Sequence, residues 1–173
     1  QESVMESRSG KLWKALNRGL DICVIGLMAF LVIDVVWQVC SRYLLSNPSS
    51  WTEELATFLL VWVGLLGAAV ALRERAHLGI NYLTAGMRPQ AQHTAEVFAL
   101  ASTALFCVLV LIYGGTSLVV RTVALNQLSP ALGIHMGYVY LALPISGFFM
   151  TGYSLRRLAA CFFHVTSVDR PHR

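Results

Sequence analysis

The sequence predicts an all-α membrane protein of four transmembrane helices, with both termini cytoplasmic and short interfacial amphipathic segments. Three observations carry this. The 173 residues are 56% hydrophobic and only 13% charged, with a mean hydropathy of +0.62, whereas a soluble domain carries about 25% charged residues. The apolar residues gather into long runs, and two of these, Leu55 to Leu72 and Val97 to Val120, contain no charge at all. The 13 Lys and Arg residues fall at the ends of the runs. That placement explains the net charge of +4 by membrane orientation rather than by nucleic-acid binding.

Taken in order, residues 1–9 are polar and contain Met5, which reads as the natural start. No secretory signal is expected, because the first apolar run is too long for an h-region. Ser7 to Arg18 interleaves Lys11, Lys14 and Arg18 with Trp13, a basic amphipathic lead-in that would lie on the membrane surface. The first span is expected at about 20–45, with Asp34 well inside it and Arg42 and Tyr43 near its end. Ser46 to Ser50 is a short turn, in which Pro48 disfavours helix at the residue before it.

The second span, about 52–73, organises the rest. Its eighteen uncharged residues make a helix of about 27 Å, close to the thickness of the hydrocarbon core. Trp51 stands where a headgroup anchor is expected, with Glu53 and Glu54 at the positive end of the helix dipole and Arg73 and Arg75 at the other end. Residues 76–90 are too broken by Gly79, Gly86 and Pro89 to span and read as an interfacial segment. The third span is expected at about 95–121. After a connection carrying Asn126, Ser129 and Pro130, the fourth is expected at about 134–157, where Pro144 predicts a kink. Four spans put both termini on one side, together with eleven of the basic residues; only Arg42 and Arg121 fall on the other. The positive-inside rule makes the larger group cytoplasmic, which places Trp51, Glu53 and Glu54 at the outer face. No loop has room for a soluble domain, so 1–173 reads as a single membrane domain.

Few residues offer chemistry. Asp34 is the one acid well inside a span, which makes it a functional-site hypothesis. It would couple a proton or ion, bond to another helix or a partner subunit, or be neutralised by desolvation. Glu53 and Glu54 adjoin and so diverge by about 100° on a helix. One would cap its helix and the other would meet a cation, with Arg42 across the turn a candidate. The histidines sit near span ends, so a haem pair is not expected; His77 reads as interfacial, and His135 as polar glue between helices. The four cysteines form no CxxC and read as apolar fillers. Gly133 to Gly137 is a GxxxG, and Gly67 to Ala71 a small-xxx-small pair, spacings that let helices approach closely. With no P-loop, GxSxG or HExxH, neither an enzyme nor a cofactor is expected.

Arg42-Tyr43, a Pro-containing turn, Trp51-Thr52-Glu53-Glu54, a span containing Trp62 and Gly64 to Ala69, then Arg73-x-x-x-His77 together resemble the small membrane subunit, DctQ type, of tripartite ATP-independent periplasmic (TRAP) transporters. One departure is Asn81, where an acidic residue is expected after the histidine. The resemblance implies an accessory subunit, embedded in phospholipid, of a sodium-driven transporter importing an organic acid such as a C4-dicarboxylate or sialic acid. Its partners would be a large multi-span elevator-type subunit, which it would brace, and a periplasmic substrate-binding protein, which it would help to dock. Asp34, Arg42, Trp51, Glu53 and Glu54 would then hold the outer half by subunit contact or internal bracing, and Arg73, Arg75 and His77 the cytoplasmic edge. Two rivals are a stand-alone four-span proton-coupled multidrug exporter, favoured by Asp34, and the haem- or quinone-binding anchor of a redox enzyme.

Overall fold

The computed structural model describes residues 2–44, 50–74 and 89–168, and among these described residues every regular element is helical. Helix α1 (Glu2–Leu44) runs without interruption through the expected lead-in and first span. No proline falls within it, so nothing separates the amphipathic part from the apolar part. Helix α2 (Ser50–Glu74) begins two residues before the expected second span and ends one after it. Helix α3 (Pro89–Phe106) starts on a proline, which suits a first helical position. It continues through a π-helical segment, Cys107–Gly114, into α4 (Gly115–Ala124).

Among the described residues three helices are long and apolar enough to cross a membrane: Trp13–Tyr43, Ser50–Glu74 and Thr94–Ala124. They cover the first three expected spans. The fourth expected span falls on α5 (Met136–Tyr140) and α6 (Ala142–Val168). The interruption is Leu141 alone, still in α-region dihedrals (φ −59°, ψ −23°). Its N–H donates to the Gly137 carbonyl at 3.1 Å, and the Leu141 carbonyl accepts Ile145 N–H at 3.3 Å. Pro144, three residues on, has no N–H to return to Tyr140. Helical bonding therefore resumes at once on either side of the proline.

The chain divides into two compact units. The first holds residues 1–70 and Leu128–Ile134. In α1 the most covered side chains are Leu20, Asp34 and Ser41, with half-buried Leu27 between the first two. In α2 they include Thr52, Leu59 and Leu66. Both sets recur every seven residues, the spacing that keeps one stripe of a helix turned toward a neighbour. Between Ile22 and Val39 most of the remaining α1 residues are exposed and apolar, with Ile25 68% and Ile33 64% accessible. So broad an apolar surface is stable in hydrocarbon or under a partner, not in water.

In the second unit α6 packs along α3 and the π-helical segment, and α4 packs on α5. The approach is closest at glycines. A Cβ at Gly147 would lie 2.7 Å from Leu111 Cβ, one at Gly115 2.8 Å from Leu143 Cβ, and one at Gly137 2.5 Å from Val123 Cγ2. The predicted GxxxG is thus used at one end only. Gly137 is a packing residue, whereas Gly133 lies before α5 with φ +65° and serves a turn. In the first unit, a Cβ at Gly67 would meet no atom within 4 Å, so its small-residue pair brings no described helix close. At one end of the second unit Arg157 meets Glu96 at 3.5 Å, both half-buried.

Helix α4 ends in a Schellman motif. Asn126 takes the left-handed conformation (φ 49°), with Asn126 N–H bonded to Val123 O at 3.0 Å and Gln127 N–H to Thr122 O at 3.2 Å. Asparagine tolerates this region where branched residues do not. Asn126→Val is therefore expected to cost about 1–2 kcal/mol, read as a lower thermal unfolding midpoint in detergent. Asn126→Gly, which suits the backbone but loses the side-chain contact described below, separates the two contributions.

Candidate functional site

Polar side chains in apolar helices must find partners inside the protein. Five hydroxyls do so locally, by donating to a carbonyl three or four residues back: Ser41 to Gln38 at 2.9 Å, Thr57 to Glu53 at 2.9 Å, Thr103 to Ala99 at 2.8 Å, Thr122 to Leu118 at 2.8 Å and Ser146 to Leu143 at 3.0 Å, whereas those of Thr151 and Ser154 are buried without a partner among the described residues. Two acids in the first unit, Glu54 and Asp34, depart from this local solution in opposite ways.

Glu54, in the first turns of α2, reaches the connection at Leu128–Ile134. Its Oε2 accepts the backbone N–H of Ala131 and that of Leu132, each at 2.9 Å. The receiving segment is a single helical turn built by its own sequence. Ser129 Oγ accepts Leu132 N–H at 3.3 Å, as an N-cap does, and Pro130 follows where a missing N–H costs nothing. Gly133 N–H closes the turn on Ser129 O at 3.0 Å, and Gly133 itself takes the left-handed conformation that ends it. The amides of such a turn lack intrahelical partners, so a carboxylate is the acceptor that fits them. Ser129 N–H, bonded to Ile134 O at 2.8 Å, fixes the exit. These partners were missed in the sequence, although Ser-Pro-x-x-Gly is a readable signal for a capped turn that seeks an acceptor.

Asp34 is 6% exposed, and its Oδ2 has no hydrogen-bond partner among the described residues. It lines a pocket of about 340 Å³ together with Phe30, Ile33 and Trp37 of α1 and Trp51 and Leu55 of α2. The structure therefore gathers Asp34 and Trp51 at one place. Glu54, one residue before Leu55, is committed instead to the 128–134 turn.

The remaining expected site residues lie apart from this place. Arg42 and Glu53 are exposed, and among the described residues no salt bridge joins Arg42 to Glu53 or Glu54. The expected Arg42 pairing is corrected: Glu54 is satisfied by two backbone amides, which need no cation. Arg73 bonds its neighbour Glu74 at 2.9 Å. Arg75, His77 and residues 76–88 of the expected interfacial segment fall outside the described residues, while its last two, Pro89 and Gln90, open α3. His135, expected as glue between helices, instead bonds Asn126 within the connection, Nε2 to Oδ1 at 2.8 Å, and sets its ring edge-on to Tyr138 at 6.3 Å.

The long apolar helices define a multi-pass helical membrane protein. The chain belongs to the family described as tripartite ATP-independent periplasmic transporters, DctQ component, whose pattern matches residues 31–164, and it is thus a TRAP-type small permease subunit of a bacterial inner membrane rather than a member of an enzyme family. It is 29% identical over 147 residues to the sialic acid TRAP transporter small permease protein SiaQ of Vibrio cholerae, covering 85% of this chain and 83% of that one. It is 29% identical over 122 residues to the C4-dicarboxylate TRAP transporter small permease protein DctQ of Rhodobacter capsulatus, covering 70% and 52%. It is 30% identical over 142 residues to the sialic acid TRAP transporter permease protein SiaT of Haemophilus influenzae, covering 81% of this chain but 21% of that longer one. The family assignment does not favour the four-span exporter.

Proposed function

We propose that this chain is the small subunit of a sodium-driven, binding-protein-dependent TRAP transporter importing an organic acid of the sialic acid or C4-dicarboxylate class. Its task is to brace a large elevator-type permease subunit in the membrane. The observation that carries this reading is the SiaT relative, in which the region like this chain is 21% of a longer permease polypeptide. A segment fused to a permease in one protein and separate in another is expected to stay in contact with it. The relatives' names supply the substrate class, and specificity is assigned to the other components.

In this reading α5 and α6 form a fourth span, the whole chain is one membrane domain, and both termini are cytoplasmic. The support is the eleven-to-two division of basic residues. Arg73, Arg75 and His77 then anchor the cytoplasmic edge, and Arg42, Trp51 and Glu53 stand at the outer face. There, the 128–134 turn held by Glu54 offers a fixed surface for the periplasmic binding protein.

Gentle detergent purification of the chain from its native host, followed by mass spectrometry, tests the proposal. A stoichiometric, larger multi-span permease chain is the expected companion. Recovery only as a homo-oligomer that transports a cation after reconstitution would overturn it.

A further inference from the structure

We infer that the Asp34 pocket is the seat of a partner transmembrane helix, which brings a hydrogen-bond donor to the Asp34 carboxylate. The inference rests on the accessory-subunit reading and names the residues through which that contact is made.

The chemistry begins with what Asp34 lacks. A buried hydroxyl can satisfy itself by donating to a carbonyl of its own helix, as Thr122 does. An ionised carboxylate cannot, because it only accepts and the middle of a helix offers it no free N–H. Asp34 lies inside the unbroken helix α1, and its Oδ2 is buried without a partner among the described residues. Such an acceptor is costly without a donor, and neither Trp37 nor Trp51, whose indoles line the pocket, gives its N–H to Oδ2.

The pocket selects the kind of donor. Its other walls, Phe30, Ile33, Trp37, Trp51 and Leu55, are aromatic or aliphatic, which suits the apolar flank of a helix more than a hydrated ion. Apolar walls also disfavour the strongly hydrated ammonium of a lipid headgroup, which would have to shed its water to reach the carboxylate. A second copy of this chain, packed through the same α1 strip, would offer aliphatic and thioether side chains without a donor. A helix of the larger permease is the remaining occupant. Covalent continuity in SiaT supports it, since there the region similar to this chain and the rest of the permease share one polypeptide. The exposed strip of Val24, Ile25, Met28, Ala29, Val32 and Ile33 extends the seat along α1.

The test uses the intact complex purified from membranes, with p-benzoylphenylalanine at Ile33, which lines the pocket and is exposed. Irradiation is expected to join it to a membrane helix of the larger permease, within one turn of a residue carrying an N–H or O–H donor. In the otherwise unmodified chain, Asp34→Leu fits the apolar walls but removes the acceptor. It is expected to lower the complex recovered in detergent roughly tenfold, while the subunit alone keeps its helical circular dichroism. Asp34→Asn, which retains a carbonyl acceptor, is expected to restore most of the recovery. Crosslinks only to lipid or to a second copy would overturn the inference, as would an Asp34→Leu complex as robust as the wild type; both leave the accessory-subunit reading intact. Absence of any larger permease chain from the wild-type preparation would instead overturn that reading.

Discussion

Replacing Gly147 by leucine is expected to be among the most damaging single changes in the chain, because it wedges α6 away from the π-helical segment. Even the first carbon of a side chain has no room. A Cβ at this position would lie 2.7 Å from Leu111 Cβ, 3.1 Å from Ile112 Cγ1 and 3.3 Å from the Ile112 backbone nitrogen. The last of these belongs to the main chain and cannot rotate away. Gly147→Ala is therefore expected to cost about 1–3 kcal/mol through overpacking, and Gly147→Leu more. The cost has no hydrophobic offset, since in a bilayer an added methyl gains little by leaving lipid. Gly67, with nothing within 4 Å of its would-be Cβ, is the internal control. There alanine is expected to be neutral or to stabilise the helix by about 0.5–1 kcal/mol. Thermal unfolding in detergent, followed by near-ultraviolet circular dichroism, reads both. Equal midpoints for Gly147→Ala and the wild type would show that the two helices separate freely.

The contrast between these glycines marks where sequence reasoning reaches and where it stops. Apolar length and charge placement were enough to find α1, α2 and the α3–α4 rod, because the membrane sets one length and one polarity for any spanning helix. They were not enough to decide which small residues pack. Gly67–Ala71 and Gly133–Gly137 look alike as spacings, yet Gly67 meets nothing, and the second pair is split by a turn at Gly133. The π-helical segment gave no signal, since its eight residues, CVLVLIYG, are ordinary for an apolar helix. Asp34 was legible as an exception because a lone carboxylate in a span demands an explanation. Glu54 was legible as an acid near an outer end, but not its partners. Those are backbone amides seventy-seven and seventy-eight residues away, and amides carry no residue identity to read.

Loss of that long-range contact is expected to free the connection while sparing the helices. In Glu54→Ala, the N–H groups of Ala131 and Leu132 lose the carboxylate that accepts them, and within Leu128–Ile134 the N-terminal amides of one helical turn are left to water. Hydrogen exchange in peptides spanning Asn126 to Tyr138 is then expected to quicken on the order of tenfold, with exchange in α6 unchanged. Glu54→Gln keeps a carbonyl acceptor but loses the charge, and charge-assisted bonds are about twice as strong as neutral ones, so an intermediate rate is expected. Exposed Glu53, whose carboxylate is not part of this contact, supplies the comparison: Glu53→Ala is expected to leave exchange in the turn at the wild-type rate. Quickening in Glu53→Ala equal to that in Glu54→Ala would trace the effect to the general loss of negative charge at the start of α2, not to the two hydrogen bonds. If the connection is a docking surface for a binding protein, its order matters more than its charge. Glu54→Ala would then weaken uptake with the large-subunit complex still intact, which separates a role at the outer face from the helix contact assigned to Asp34.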